Sequence, residues 1–208
     1  MSAAFTYLRL IIKPGRQAHQ DLDERLKLLA PRLAASGGRL VGRFVAQLGW
    51  AANDTAVLLQ GVDDGQGLKA VREFVDAVSA EDALIIDMAP TARPVGEAPL
   101  VLEPGGIYVH RWFTVETPDL ERFVDLSAQA WPDFEARFDT KIFGLFHANQ
   151  TQTQTPFGHT RLLLLTRYAS HGVWEDSRDP STEAMVIFAQ RQLLTRHTIA
   201  SSSLLVTY

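Results

Sequence analysis

Apolar residues recur along this chain at two periods, and the switching between them writes an order of elements. "YLRLII" is a nearly continuous apolar run closed by Pro14-Gly15, which reads as a strand and its turn. From Arg16 to Ser36, Leu22, Leu26, Leu29 and Leu33 return every three or four residues and so share one helix face. Pro31 predicts a kink or an end in that helix, and Gly37-Gly38 its stop. "RLVGRFVAQL" and "TAVLLQGV" follow as two strands around a polar turn at Asn53-Asp54. "GLKAVREFVDAV" turns Leu68, Val71, Phe74, Val75 and Val78 inward as a second helix, and "ALIIDMA" is a fourth strand. The order is βαββαβ, the ferredoxin-like unit.

"TARPVGEAPLVLEPGG" is rich in Pro and Gly and reads as a linker, after which the order restarts. "IYVHRWFTV" predicts a strand and Thr117-Pro118-Asp119 a helix start. Phe123, Ala130, Trp131, Phe134 and Phe138 line one side of that helix. "KIFGLFHAN" and "TRLLLLTRY" form the next strand pair, joined by the polar "QTQTQTPFGH", an exposed hairpin loop or a lid. "GVWEDSRDPSTEAMVIFAQRQLLTRH" reads as helical with a break at Asp179-Pro180, and "SSLLVTY" closes the chain as a strand. "RLVGRFVAQ" at 39–47 and "KIFGLFHAN" at 141–149 follow one pattern, Tyr7 matches Tyr108, and Pro31 matches Pro132. These pairs predict a repeat, with units at 1–91 and 107–208 and a linker at 92–106. Several strands are apolar on both faces, as with Leu8, Leu10 and Ile12 against Tyr7 and Ile11, so each sheet needs a second cover. The expected fold is α+β: two tandem ferredoxin-like βαββαβ units forming a dimeric α+β barrel within one chain. Gly42 and Gly144 lie inside apolar strands, where Gly marks a bulge or a close backbone approach; the expectation is close approach of a helix or the partner sheet at both.

Composition narrows the function more than it defines it. With 208 residues, 46% of them hydrophobic, a sizeable core is available. A formal charge of −4 argues against nucleic acid and anionic membranes as partners. The absence of cysteine removes disulfides, thiolate metal sites and Cys nucleophiles, and fits a reducing cytosol. "MSAAFTYLRLIIKPG" has no basic n-region and its apolar run stops at Lys13, so it reads as a strand of a cytoplasmic protein rather than a signal peptide or membrane span. There is no P-loop, no GxGxxG and no HxH or HxxxH spacing, so no cofactor or metal is called for. A haem site would need one His beside an open apolar cavity, which the sequence leaves open. The partners that remain are a small hydrophobic ligand and further copies of the chain.

"YVHRWFTVETPDLERFVDLSAQAWPDFEARFDTKIFGLFHA", "RLLLLTRYASHGVWEDSR" and "FAQRQLLTRHT" resemble the bacterial NIPSNAP-like proteins. These belong to the dimeric α+β barrel superfamily, with the cofactor-free monooxygenases of antibiotic biosynthesis and the EthD-like proteins. "LRLIIKPG" is similar, more faintly, to that family's opening strand and Pro-Gly turn. The resemblance spans nearly the whole chain as two tandem units. It implies binding of a small hydrophobic or aromatic molecule in a barrel pocket. A cofactor-independent monooxygenase or isomerase, or a non-enzymatic scaffold, stand as alternatives. It carries no catalytic signature to transfer.

Side-chain alternation along the first strand of each unit sorts the candidate residues. Arg111 takes the helix-side position that Leu10 holds in the first unit, and reads either as a clamp on a ligand or as the partner of an acid such as Glu175 or Asp176. The opposite face carries Tyr7 and Arg9 in one unit and Tyr108, His110 and Trp112 in the other, with His147 on a strand expected to neighbour them. Aromatic walls with a few polar groups suit a small-molecule pocket, and a His pair suits proton transfer near neutral pH. The same residues also suit a satisfied inter-sheet core. A satisfied core is the reading the sequence favours for these residues; for a ligand site, the His pair in the barrel is preferred to Arg111, which would mark a separate helix-side pocket.

Overall fold

The apolar run near the N-terminus becomes β1 (Phe5–Ile12), followed by α1 (Arg16–Ala35), β2 (Arg39–Leu48), β3 (Asp54–Gln60), α2 (Gln66–Ala77) and β4 (Ala80–Pro90). The order then restarts with β5 (Ile107–Glu116), a 3-10 turn at Thr117–Asp119, α3 (Leu120–Arg137), β6 (Thr140–Ala148) and β7 (His159–Tyr168). It closes with a short α4 (His171–Asp176), α5 (Glu183–Leu193) and β8 (Thr195–Val206). This computed structural model describes residues 4–62, 65–78 and 80–206.

The strands close into one antiparallel barrel in the order β1-β3-β2-β8-β5-β7-β6-β4. Within each half this is the 4-1-3-2 order of a ferredoxin-like unit, and the seams are β2–β8 and β4–β6. The fold is therefore two tandem ferredoxin-like βαββαβ units forming a dimeric α+β barrel from a single chain. Closure gives every strand a partner on both sides, along only part of its length at the two seams. Period-two alternation divides the apolar residues into three clusters. Leu8, Leu10 and Ile12 pack under α1 and α2, and Val109, Phe113 and Leu162 pack under α3 and α5. Tyr7, Phe44, Tyr108, Phe146 and Leu165 meet inside the barrel.

Local signals yield to tertiary packing in several places. Neither Pro31 nor Pro132 ends its helix, because Leu29 and Leu33 on either side of Pro31, and Trp131 and Phe134 around Pro132, still bury against the sheet. The break at Asp179-Pro180 does occur, with Ser170 capping α4 and Thr182 capping α5. The pattern predicts a helix through "LLTRH", but α5 stops at Leu193 and β8 begins at Thr195. The β-branched residues that follow pair along β5, a ladder that local helix propensity does not outweigh. The Pro-Gly segment between the halves folds back onto the barrel: Leu100 is buried, and Gln60 bonds both the Ala98 carbonyl (3.0 Å) and the Leu100 amide (2.8 Å).

Both strand glycines sit at register shifts, at Leu40–Gly42 and Ile142–Gly144. A Cβ on Gly42 would meet Leu205 of β8 at 2.7 Å and Leu102 at 2.9 Å. The close approach at Gly144 comes from neither a helix nor the facing sheet. The ring of Phe146, two residues along its own strand, occupies the place a side chain would take.

Candidate functional site

The barrel interior is packed around His110, the satisfied core that the sequence favoured over a His site there. His110 is fully buried and ringed edge-on by Phe44 (4.7 Å), Trp50 (5.1 Å) and Tyr7 (5.8 Å). Its hydrogen bonds fix its tautomer. Ser203 Oγ spends its proton on the Tyr108 carbonyl (3.2 Å), so His110 Nε2–H donates to Ser203 Oγ (2.9 Å). Nδ1 is then an acceptor, taking the Tyr7 hydroxyl proton (3.1 Å). Burial pushes the ring's pKa down to about 3 and the Tyr7 hydroxyl's well up. A neutral imidazole with both nitrogens satisfied is a structural group.

His147 does not join it. It pairs with Leu162, whose side chain belongs to the helix-side core, whereas His110 pairs with Leu165 of the interior. The bulge at Ile142–Gly144 shifts the alternation of β6, and His147 ends on the outer face beside Thr6, Asp87 and Asn149. Tyr108 is fixed by the Glu103 backbone, accepting from its amide (2.9 Å) and donating to its carbonyl (2.6 Å). Arg9 is half exposed and bonds Asp54, which is fully buried, at 2.6 Å. Trp112 is half buried with the Arg161 guanidinium 5.1 Å from its ring.

Arg111 reaches a chamber on the helix side, whereas His147 borders a separate outer cleft with Asp87 and Asn149. The outer face of the second-half sheet forms a floor from Arg111, Ile142, Leu164, Thr166 and Tyr168. Trp174, Ser177 and Arg178 stand on one side, on α4 and the turn after it. Phe134 of α3 and Met185, Phe188 and Arg191 of α5 complete a chamber of about 350 Å³. The split between α4 and α5 makes this space. In the first half one unbroken α2 lies over the sheet, and Leu10, the counterpart of Arg111, is buried among leucines.

Arg191 is nearly fully buried and stacks on Phe188 (4.3 Å), Phe113 (4.9 Å) and Phe123 (5.3 Å), with a bond to Ser127 Oγ (3.2 Å). Burial, reinforced by Arg111, lowers its pKa to about 9. Burial lowers that of Arg111 too, with Arg178 adding to the effect. The acids expected to pair with Arg111 do not: no carboxylate lines the chamber, and neither Glu175 nor Asp176 is among its walls. Arg191 carries a signal that the sequence reading missed. Ala184, Ile187 and Arg191 recur at helical spacing, which places a guanidinium on the buried face of α5. The "QTQTQTPFGH" segment takes no part as a lid. Gln152 ties it to Asp87 on β4 through two bonds (2.6 and 2.7 Å), and none of it lines the chamber.

No protein-family model matches the chain, and no curated protein matches it in sequence. Solved structures match it over its whole length at low identity. A candidate monooxygenase from Lactobacillus acidophilus NCFM is 13% identical with a TM-score of 0.63, covering 100% of this chain and 95% of that one. An anthrone oxidase-like protein is 9% identical with a TM-score of 0.65, covering 100% and 92%. A heme-binding protein from Thermus thermophilus is 11% identical with a TM-score of 0.52, covering 99% and 91%. These neighbours share the dimeric α+β barrel fold.

The last of them raises the question of haem, and the chamber does not fit it. No His or Cys lines it to take the iron. Burial raises the pKa of Tyr168 and so opposes the tyrosinate that would have to replace them.

Proposed function

We propose that this chain binds a small hydrophobic or aromatic molecule in the chamber between the second-half sheet and α3, α4 and α5. The carrying observation is the chamber itself: about 350 Å³, walled by Phe134, Tyr168, Trp174 and Phe188, with Arg111 on its floor. Pockets of that size with apolar walls and few convergent polar groups suit small ligands. The packed interior around His110 supports a site outside the barrel, on the side that Arg111 marks. The finer affiliation we favour is with the NIPSNAP-like proteins, as a tandem repeat, in the cytoplasm, with neither nucleic acid nor membrane as partner. Support comes from the sequence resemblance, the −4 charge and the full-length match to barrel neighbours. Among the described residues no helix is long and apolar enough to cross a membrane.

A second reading, a cofactor-independent monooxygenase, draws on the two neighbours whose descriptions name oxidation. The lining holds no His or carboxylate to serve as a general base, which favours binding over proton abstraction. Arg111 would serve such chemistry by holding a substrate that is already an anion.

Ala189 offers a test. It lies on α5 at the chamber wall and is exposed, so bulk added there narrows the space without entering the core. Ala189→Phe is expected to keep the melting temperature and to abolish the thermal shift produced by any aromatic compound that stabilises the parent. Retained binding in that variant would remove the chamber as the site.

A further inference from the structure

We infer that the chamber selects an anionic ligand, an aromatic carboxylate whose acid group sits on Arg111 and whose ring lies among Phe134, Trp174 and Phe188. This rests on the reading that the chamber takes a small molecule, and adds the class of that molecule.

The argument begins with an imbalance. Among the described residues three guanidinium groups line the chamber, Arg111, Arg178 and Arg191, and no Asp or Glu does. Buried or half-buried arginines ordinarily find acidic partners. Elsewhere in this chain several do: Arg43 bonds Asp23, Arg93 bonds Glu135, and Arg9 bonds Asp54, while Arg39 donates to the Leu100 carbonyl and Arg161 stacks on Trp112. In the chamber each arginine has a different status. Arg191 is already occupied by three aromatic faces and the Ser127 hydroxyl. Arg178 rests over Trp174 at 5.2 Å on the exposed rim. Arg111 stands on the floor, half buried, with no hydrogen-bond or ion-pair partner among the described residues. Neighbouring positive charge and burial both work against its cation. A carboxylate would relieve both, because a guanidinium presents paired N–H donors that match a carboxylate's two oxygens. The walls supply the rest of the recognition, since Phe134, Tyr168, Trp174 and Phe188 offer aromatic faces that a purely inorganic anion would leave uncovered.

The test compares one ring with two head groups on the full chain, using calorimetry at neutral pH. The probes are 2-naphthoate and its uncharged counterpart 2-naphthalenemethanol. The acid is expected to bind tighter than the alcohol by about tenfold or more, with the advantage shrinking as salt is raised. In Arg111→Met the advantage should vanish, the acid losing more affinity than the alcohol. Equal affinity of acid and alcohol in the parent would overturn the anion inference and leave the chamber as a neutral aromatic site. No binding of either would overturn both. Should Arg111→Met fail to fold, the ratio in the parent decides alone.

Discussion

His110 shows how one residue type supports opposite readings until its surroundings are known. A histidine on an apolar strand face is compatible with catalysis but more often belongs to packing. Its place on the interior face of β5 was readable, because alternation is a local property of the strand. What fills the space above it is not local: Phe44 and Trp50 arrive from the other half of the chain. Arg111 on the opposite face was equally legible as an anomaly against Leu10, and there the anomaly did mark a cavity. The His110 environment has a measurable consequence. Its folded pKa near 3 lies below the ordinary value of 6.5, so between those limits the unfolded chain binds the extra proton. Stability is therefore expected to be unaffected by this group above pH 6.5 and to fall as pH drops below it. One proton of difference amounts to about 1.4 kcal/mol per pH unit. Urea midpoints measured from about pH 7.5 down to about pH 5, across the ordinary histidine range, should fall more steeply for the parent than for His110→Phe. Parallel slopes would show that His110 is protonated in the folded state.

Element order was readable because each element announces itself by period and punctuation within a short stretch of chain. The Asp179-Pro180 break was readable in the same way. That the break opens a chamber was not, because the volume depends on how α3 and α5 pack together over the sheet. The strand glycines are an intermediate case: the sequence marks both as close approaches, but only packing says what comes near each. At Gly42 the obstructing atoms are the tips of Leu102 and Leu205, which can swing aside. At Gly144 it is the Phe146 ring, fully buried and held 4.9 Å from Phe5. Replacing either glycine by Val is expected to destabilise by about 1–3 kcal/mol through overpacking, with Gly144→Val at the upper end and Gly42→Val at the lower. Chemical denaturation of the two variants checks the order. A smaller loss at Gly144 would mean that Phe146 has another rotamer available.

At the scale of the molecule, the question is whether the two halves are separable. The sequence pointed to a closed barrel through strands that are apolar on both faces, and the seams could not be read because no local pattern specifies which edges meet. The seams themselves are short. β4 and β6 pair at three positions, Met88–Ala148, Ala89–His147 and Pro90–Phe146, and β2 and β8 at five. Backbone hydrogen bonds there contribute on the order of 1 kcal/mol each, after exchange with water. The interior contributes more. Tyr108, Phe143, Phe146, Leu163 and Leu165 of the second half are buried against Phe5, Tyr7, Phe44 and Leu58 of the first. Exposing five such side chains costs roughly 10 kcal/mol, comparable to the whole stability of an ordinary domain. A fragment of residues 106–208 is therefore expected to cover that face with a second copy of itself or to aggregate, and to return to a one-to-one complex when residues 1–105 are supplied. Sedimentation of the fragment, alone and with its complement, makes the measurement. If residues 106–208 remain monomeric at micromolar concentration, unfold cooperatively and bind no apolar dye, the second half holds its own interior face closed, and the barrel is a docking of two independent domains rather than one shared core.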